Sequence, residues 1–192
     1  MNRRFAVFLV LMGLTAVAYA QEERATASTA IGGEKISIEY GRPALKGRSM
    51  ADLMNQLPAD RIWRAGAGAV TTLATEIDLS ISGKEVPAGK YSLYMYCPES
   101  GDFALVINSD LGMPLGEIFK QAPPERAKQP YPHFFNYTGD IGDKEVARIP
   151  LKQIDAPQSE SLTYSFRPAG EGALLLISWG GQAWTVELQP SD

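Results

Sequence analysis

The chain has 192 residues, 45% apolar and 21% charged, and carries 18 Lys and Arg against 22 Asp and Glu for a formal net charge of −4. Such a composition is that of ordinary globular chains and excludes wholesale disorder or collagen-like repetition. Without a basic excess to neutralise phosphates, the chain lacks the electrostatic footprint of nucleic-acid binding, and no nucleic-acid partner is expected.

The chain opens on Asn2-Arg3-Arg4, a nearly unbroken apolar run from Phe5 to Val17, and Ala18-Tyr19-Ala20. A basic start, a short apolar core and a small-x-small end form the pattern of a cleavable export signal. The apolar run falls short of the roughly 20 residues of a membrane span. Residues 1–20 are therefore expected to be a signal peptide. Residues 21–192 are expected to form one periplasmic or secreted domain with no membrane span after cleavage. Gln21, in place of a lipidatable Cys, argues against a lipid anchor. The leader takes Arg3 and Arg4 with it, leaving 16 basic and 22 acidic side chains and a net charge of −6. A domain of this size can bury about 70% of its unfolded surface without disulfides or metals. The single cysteine, Cys97, has no partner for an intramolecular disulfide.

Downstream, strand patterns alternate with Gly, Pro and Asn/Asp turns. Lys35 to Tyr40 alternates strictly, with Ile36, Ile38 and Tyr40 on one face, and the preceding Gly32-Gly33 supplies the positive φ of a hairpin turn. Ser49 to Leu57 breaks the pattern: Met50, Leu53, Met54 and Leu57 have helical spacing, Ser49 is an N-cap and Pro58 follows, which predicts one short helix. Two short strands are expected between Thr71 and Ser82. Tyr91 to Tyr96 is apolar or aromatic on both faces and predicts a central strand, with Phe103 to Ile107 as its hairpin partner. Leu115 to Tyr137 is a long interruption, with four prolines and the cluster Tyr131, His133, Phe134, Phe135 and Tyr137; a connection of this length is expected to be a lid or a docking patch. Strands at Val146 to Leu151, Leu162 to Phe166, Leu174 to Trp179 and Trp184 to Leu188 complete the set. The prediction is an all-β fold, an antiparallel sandwich or flattened barrel of about nine or ten strands with one short helix.

Nucleophile partners are scarce. His133 is the only histidine, and no Gly-x-Ser-x-Gly elbow exists for it to serve. Metal sites of the His and Cys type need more such residues than the chain owns, so no metal and no cofactor are expected. Cys97, at a strand end before Pro98, has no local cation or helix terminus to activate it and is expected to be a small hydrophobe. Asn108-Ser109-Asp110 and Asp140 to Glu145 read as turns and not as calcium loops. No catalytic residue is assigned.

The richest stretch runs from Tyr40 to Thr72. It holds Arg42, Arg48 and Arg64 separated by glycines, with Trp63 beside the last of them. Guanidinium forks bind carboxylate or phosphate in pairs of parallel hydrogen bonds, and an indole adds a stacking wall. Arg42, Arg48, Trp63 and Arg64 are the candidate ligand-binding residues. The competing reading is structural: the arginines pair with Glu39, Asp52, Asp60 or Glu76, and Trp63 fills the core.

The segments Ile38-Glu39-Tyr40-Gly41-Arg42-Pro43, Lys46-Gly47-Arg48, Trp63-Arg64-Ala65-Gly66-Ala67 before Thr71-Thr72-Leu73, and Pro87 to Tyr94 together resemble the bacterial family catalogued as domain of unknown function 2911. Weaker likeness extends the match over roughly residues 28 to 188. The resemblance implies a β-rich fold, export and a Gram-negative setting, and it supplies no activity. Where the family pattern has Gly-Ala-Asn, this chain has Gly66-Ala67-Gly68; it also has Ala44 where many relatives carry a larger residue after Arg-Pro.

The sequence thus predicts a non-catalytic exported binding module for a small anionic or carbohydrate ligand, or for an envelope protein. The alternative is a hydrolase that uses carboxylates or His133.

Overall fold

Residues 23–134 and 136–191 are described by a computed structural model; the leader expected at 1–20 lies outside the described residues. Strict alternation builds the first hairpin. β1 (Arg24–Ile31) pairs antiparallel with β2 (Glu34–Gly41), and Gly32 and Gly33 between them have φ of 62° and 90°. Positive φ at both central positions is what a type I′ turn requires. Ile36, Ile38 and Tyr40 face inward and are buried, while Glu39 stays exposed.

After α1 (Met50–Met54) come β3 (Ile62–Trp63), β4 (Thr72–Thr75), β5 (Leu79–Ile81), β6 (Lys84–Val86), β7 (Gly89–Tyr96) and β8 (Ala104–Asn108). β9 (Met113–Pro114) precedes the long interruption, which contributes α2 (Leu115–Ile118) and β10 (Pro130–Tyr131), and α3 (Tyr137–Asp140) starts at its last residue. β11 (Glu145–Pro150), β12 (Lys152–Asp155), β13 (Thr163–Ala169), β14 (Gly172–Trp179) and β15 (Gln182–Pro190) complete the chain.

One sheet has the order β1-β2-β4-β7-β8-β11, with β3 added to β7. The other large sheet runs β13-β14-β15-β5-β6, with β12 added to β15, and β9 and β10 pair as a separate two-stranded sheet. Every pairing is antiparallel. Both sheets end in free edges, so the two layers form a sandwich and not a closed barrel. Ile38, Leu73, Leu93 and Ile107 of the first sheet meet Leu175, Ile177, Trp184 and Val186 of the second in one core. The all-β expectation holds. The strand number exceeds nine or ten because two-residue strands such as β3, β9 and β10 are too short to show a period.

The expected helix forms at Met50–Met54. Ser49 caps it: its hydroxyl accepts from the Asp52 amide at 3.1 Å, and the Asp52 carboxylate accepts from the Ser49 amide at 2.8 Å. The single-helix expectation is corrected by two single-turn helices, α2 within the interruption and α3 at its end.

β7 and β8 are apolar on both faces, as expected of central strands, and the outer face needs its own cover. Tyr94 and Val106 point away from the main core into a second cluster with Ile62, Tyr137 and Ile141. The Tyr94 ring lies 5.0 Å from Tyr137 and 5.5 Å from Phe134, both edge-on. The expectation of an exposed aromatic patch is therefore corrected for Phe134 and Tyr137, which cover the sheet. Tyr131 lies half-buried under the Arg126 guanidinium, 5.5 Å from its ring centre. Phe135 lies outside the described residues.

Candidate functional site

Two of the glycine-containing stretches singled out in the sequence lie backbone against backbone. A Cβ placed on Gly41 would sit 2.9 Å from the Ala67 carbonyl carbon and closer still to its oxygen, and one on Gly66 would lie 3.3 Å from the Gly41 carbonyl oxygen. These two glycines let one chain segment approach another; they do not open a path to a ligand. Between them Ala65 is held at φ 49°, a left-handed conformation that is costly for a residue with a Cβ. Its carbonyl is fixed by two hydroxyls, Thr71 at 3.1 Å and Tyr164 at 2.8 Å. The Tyr164 ring packs 4.6 Å from Tyr40, so this knot ties β2 to β13 across the two sheets.

Next to the knot is a cavity of about 360 Å³. Arg48, Trp63, Arg64 and Trp179 line it, together with Pro43 and Gly66. Leu53, Met54, Gln56 and Leu57, from α1 and the turn after it, complete the lining, and Leu53, Met54 and Leu57 also pack against the main core. Trp63 and Trp179 stack with centres 5.4 Å apart and planes 19° apart, joining β3 to the end of β14. Offset pairs of this kind add about 0.5–1.5 kcal/mol beyond their buried area.

The segment that carries α1 is anchored at both ends. At its start, the Leu45 amide donates to the Glu160 carbonyl at 2.8 Å and the Lys46 amide to the Glu160 carboxylate at 2.7 Å. At its end, Arg61 donates from Nε to the Cys97 carbonyl at 2.9 Å and from Nη1 to the Met54 carbonyl at 3.0 Å. Lys46, Arg61 and Ala65, three of the four non-glycine residues described with positive φ, lie one or two positions along the chain from lining residues, and none of them lines the cavity itself.

The four sequence candidates divide. Arg48, Trp63 and Arg64 line one cavity, whereas Arg42 is not among its lining residues. Arg42 is taken up by Glu23 at 2.7 Å and by the Leu162 carbonyl at 3.3 Å. Arg48 donates only to neutral acceptors, from Nε to the Leu45 carbonyl at 2.9 Å and from Nη2 to the Ala44 carbonyl at 3.2 Å. That holds the guanidinium in place without cancelling its charge. Arg64 is exposed at the rim, and among the described residues no carboxylate lies within ion-pair range of Arg48 or Arg64. Its charge also reaches Tyr94, where it opposes the burial that pushes that hydroxyl up to about 12.

The acids considered as partners are engaged elsewhere. Glu39 pairs with Arg24, Asp52 caps α1, and Glu76 accepts from the Lys35 amide. Asp60 accepts from the Ile62 and Thr138 amides. The cavity thus carries two cations and no acid within a chain of net charge −4.

Sequence reasoning missed Trp179, which carried no signal beyond its place in a strand, and the lining role of the helical residues. Their apolar spacing had already marked a buried face, which here turns toward the cavity.

Other groups have less to offer. A larger concavity of about 500 Å³ is bordered by Glu23, Arg24, Arg126 and Tyr131, but it mixes an acid with the bases, and Arg24 is held by Glu39 and the Ala69 and Val70 carbonyls. Burial pushes the Cys97 thiol up to about 12 against the pull of Arg61, so it stays protonated at neutral pH and is no nucleophile. His133 is exposed with Nδ1 3.9 Å from Asp110. Burial raises the Asp110 carboxyl, but the Lys144 hydrogen bond at 2.6 Å, the Gly112 amide and the charges of Lys144 and His133 outweigh it and hold the group below its usual range. Among the described residues, no group of three or more His, Cys, Asp or Glu is placed to hold a metal ion, and no helix is long and apolar enough to cross a membrane.

Compared with known proteins, the chain matches the family model described as Protein of unknown function (DUF2911) over residues 22–188. No curated protein and no solved structure matches it.

Proposed function

The chain belongs to the DUF2911 family of proteins of unknown function, and we propose that its cavity beside Trp63 and Trp179 binds a small organic anion without transforming it. The observation that carries this reading is the Arg48 guanidinium, oriented by two backbone carbonyls and facing no acid. A cation fixed by neutral acceptors keeps its field available to a ligand and needs little reorganisation on binding. A small ligand is favoured over an envelope protein because Phe134 and Tyr137, which would have formed a docking patch, cover the sheet instead.

Titration with a set of sodium salts (acetate, phenylacetate, glucuronate and phosphate), followed by ligand-observed NMR, tests the proposal. The Arg48→Ala/Arg64→Ala variant is expected to lose affinity for whichever anion binds by about tenfold or more, roughly the 1.4 kcal/mol of one charge-assisted bond. Both side chains are exposed, so the melting temperature is expected to move by about 2 °C or less. Unchanged affinity, or unfolding of the variant, would return the arginines to a structural role.

Export to the periplasm or medium is part of the same proposal, supported by the basic, apolar and small-residue order of positions 2–20. Mass spectrometry of the protein from a Gram-negative host is expected to find a chain starting at Gln21. A chain retaining Met1 in the mature fraction would count against it.

A further inference from the structure

We infer that the ligand is a monocarboxylate with a flat or apolar body, in preference to a sugar acid or a phosphate; this rests on the anion-binding reading above. Three features of the cavity select that class.

The first is the headgroup. Arg48 uses Nε and one hydrogen of Nη2 on the Leu45 and Ala44 carbonyls, which occupies one edge of the guanidinium. The Nη1–Nη2 edge has no partner among the described residues. One planar edge offers two parallel donors, which match the two oxygens of a single carboxylate. A phosphate has more oxygens than this edge can serve.

The second is the body. Leu53, Met54, Leu57, Trp63 and Trp179 supply apolar patches, and the uncharged hydrogen-bonding side chains among the lining residues are Gln56 and the two indoles, of which Trp179 already donates to the Glu160 carbonyl at 3.2 Å. A sugar acid brings several hydroxyls, and each one buried without a partner costs about 1–3 kcal/mol. One amide and the Trp63 indole N–H cannot serve them all, whereas an aryl or short alkyl body needs no such partners and gains from contact with indole and thioether.

The third is size. A volume of about 360 Å³ is at the lower end of the range of organic ligand sites and too roomy for an inorganic ion.

The test is calorimetric titration of the full chain with four probes: phenylacetate, its neutral analogue phenylacetamide, glucuronate and inorganic phosphate. Trp fluorescence serves as a second readout, because two of the three tryptophans line the cavity. Phenylacetate is expected to bind about tenfold tighter than each of the other three. Arg48→Lys, which keeps the charge but loses the planar edge, is expected to weaken phenylacetate binding by about fivefold or more. If glucuronate or phosphate binds tightest and still depends on Arg48, the ligand class is wrong while the anion site stands. If none of the four shows binding that depends on Arg48, both the class and the site are wrong.

Discussion

Gly41→Ala is expected to destabilise the fold by about 3 kcal/mol or more, an overpacking cost at the upper end of the usual range. The added methyl group would run into the Ala67 carbonyl, and the atoms it meets belong to backbone, which cannot rotate aside as a flexible side chain does. The 65–69 segment would have to move. Doing so would strain the bonds from Thr71 and Tyr164 to the Ala65 carbonyl, which hold a residue already in a costly conformation. Gly47→Ala is the control. Gly47 has φ of 75° and open space around it, so its cost is only the conformational one, about 1–2 kcal/mol. Urea midpoints of the two variants should differ clearly. Equal midpoints would mean that the Gly41 contact relaxes easily and that the knot beside the cavity is not rigid.

The second large effect is expected at Asn108→Ala, on the other side of the first sheet. The Asn108 amide nitrogen donates to the Tyr137 hydroxyl at 2.9 Å and to the Ile141 carbonyl at 2.8 Å, while its oxygen accepts from the Asp110 amide at 2.7 Å. The side chain is fully buried, so truncation leaves three polar groups short of a partner at once. At about 1–3 kcal/mol for each stranded group, offset where water enters, the expected loss is about 3 kcal/mol. Tyr137→Phe should cost less, because Asn108 keeps its bond to Ile141. Limited proteolysis adds a local readout: cleavage of Asn108→Ala should concentrate between residues 109 and 144, the segment this amide pins to β7 and β8. A loss below about 0.5 kcal/mol, the range of an ordinary surface change, would remove Asn108 as the tether.

Much of the fold was legible because alternation and turn chemistry are local. Ile36, Ile38 and Tyr40 declared the inner face of β2, Gly32-Gly33 declared its hairpin, and the doubly apolar run from Leu93 to Met95 declared a strand covered on both sides. β1 escaped notice because Ala25 and Ala27 alternate with Thr26 and Ser28, a contrast in polarity too slight to mark a face. β12 is exposed throughout and has no buried face to betray it. At the candidate site, the pairing of chemistry was legible and the grouping was not. Arg48 and Arg64 share a cavity that the α1 segment between them also lines, and Trp179 arrives from the other sheet, more than a hundred residues away in sequence. Arg42 appeared equivalent to the other two, but Glu23, across the β1–β2 hairpin, claims it.

Collisional quenching of tryptophan emission tests the net positive character of the cavity most directly, without knowledge of the ligand. Trp179 and Trp184 are buried, so the emission that a small ion can reach comes from Trp63, which is only partly covered. At low ionic strength, where screening is weak, iodide should quench about twofold more efficiently than caesium despite the chain's net negative charge. The difference should vanish in Arg48→Ala/Arg64→Ala. Caesium quenching equal to or stronger than that of iodide in the unmodified protein would contradict the account.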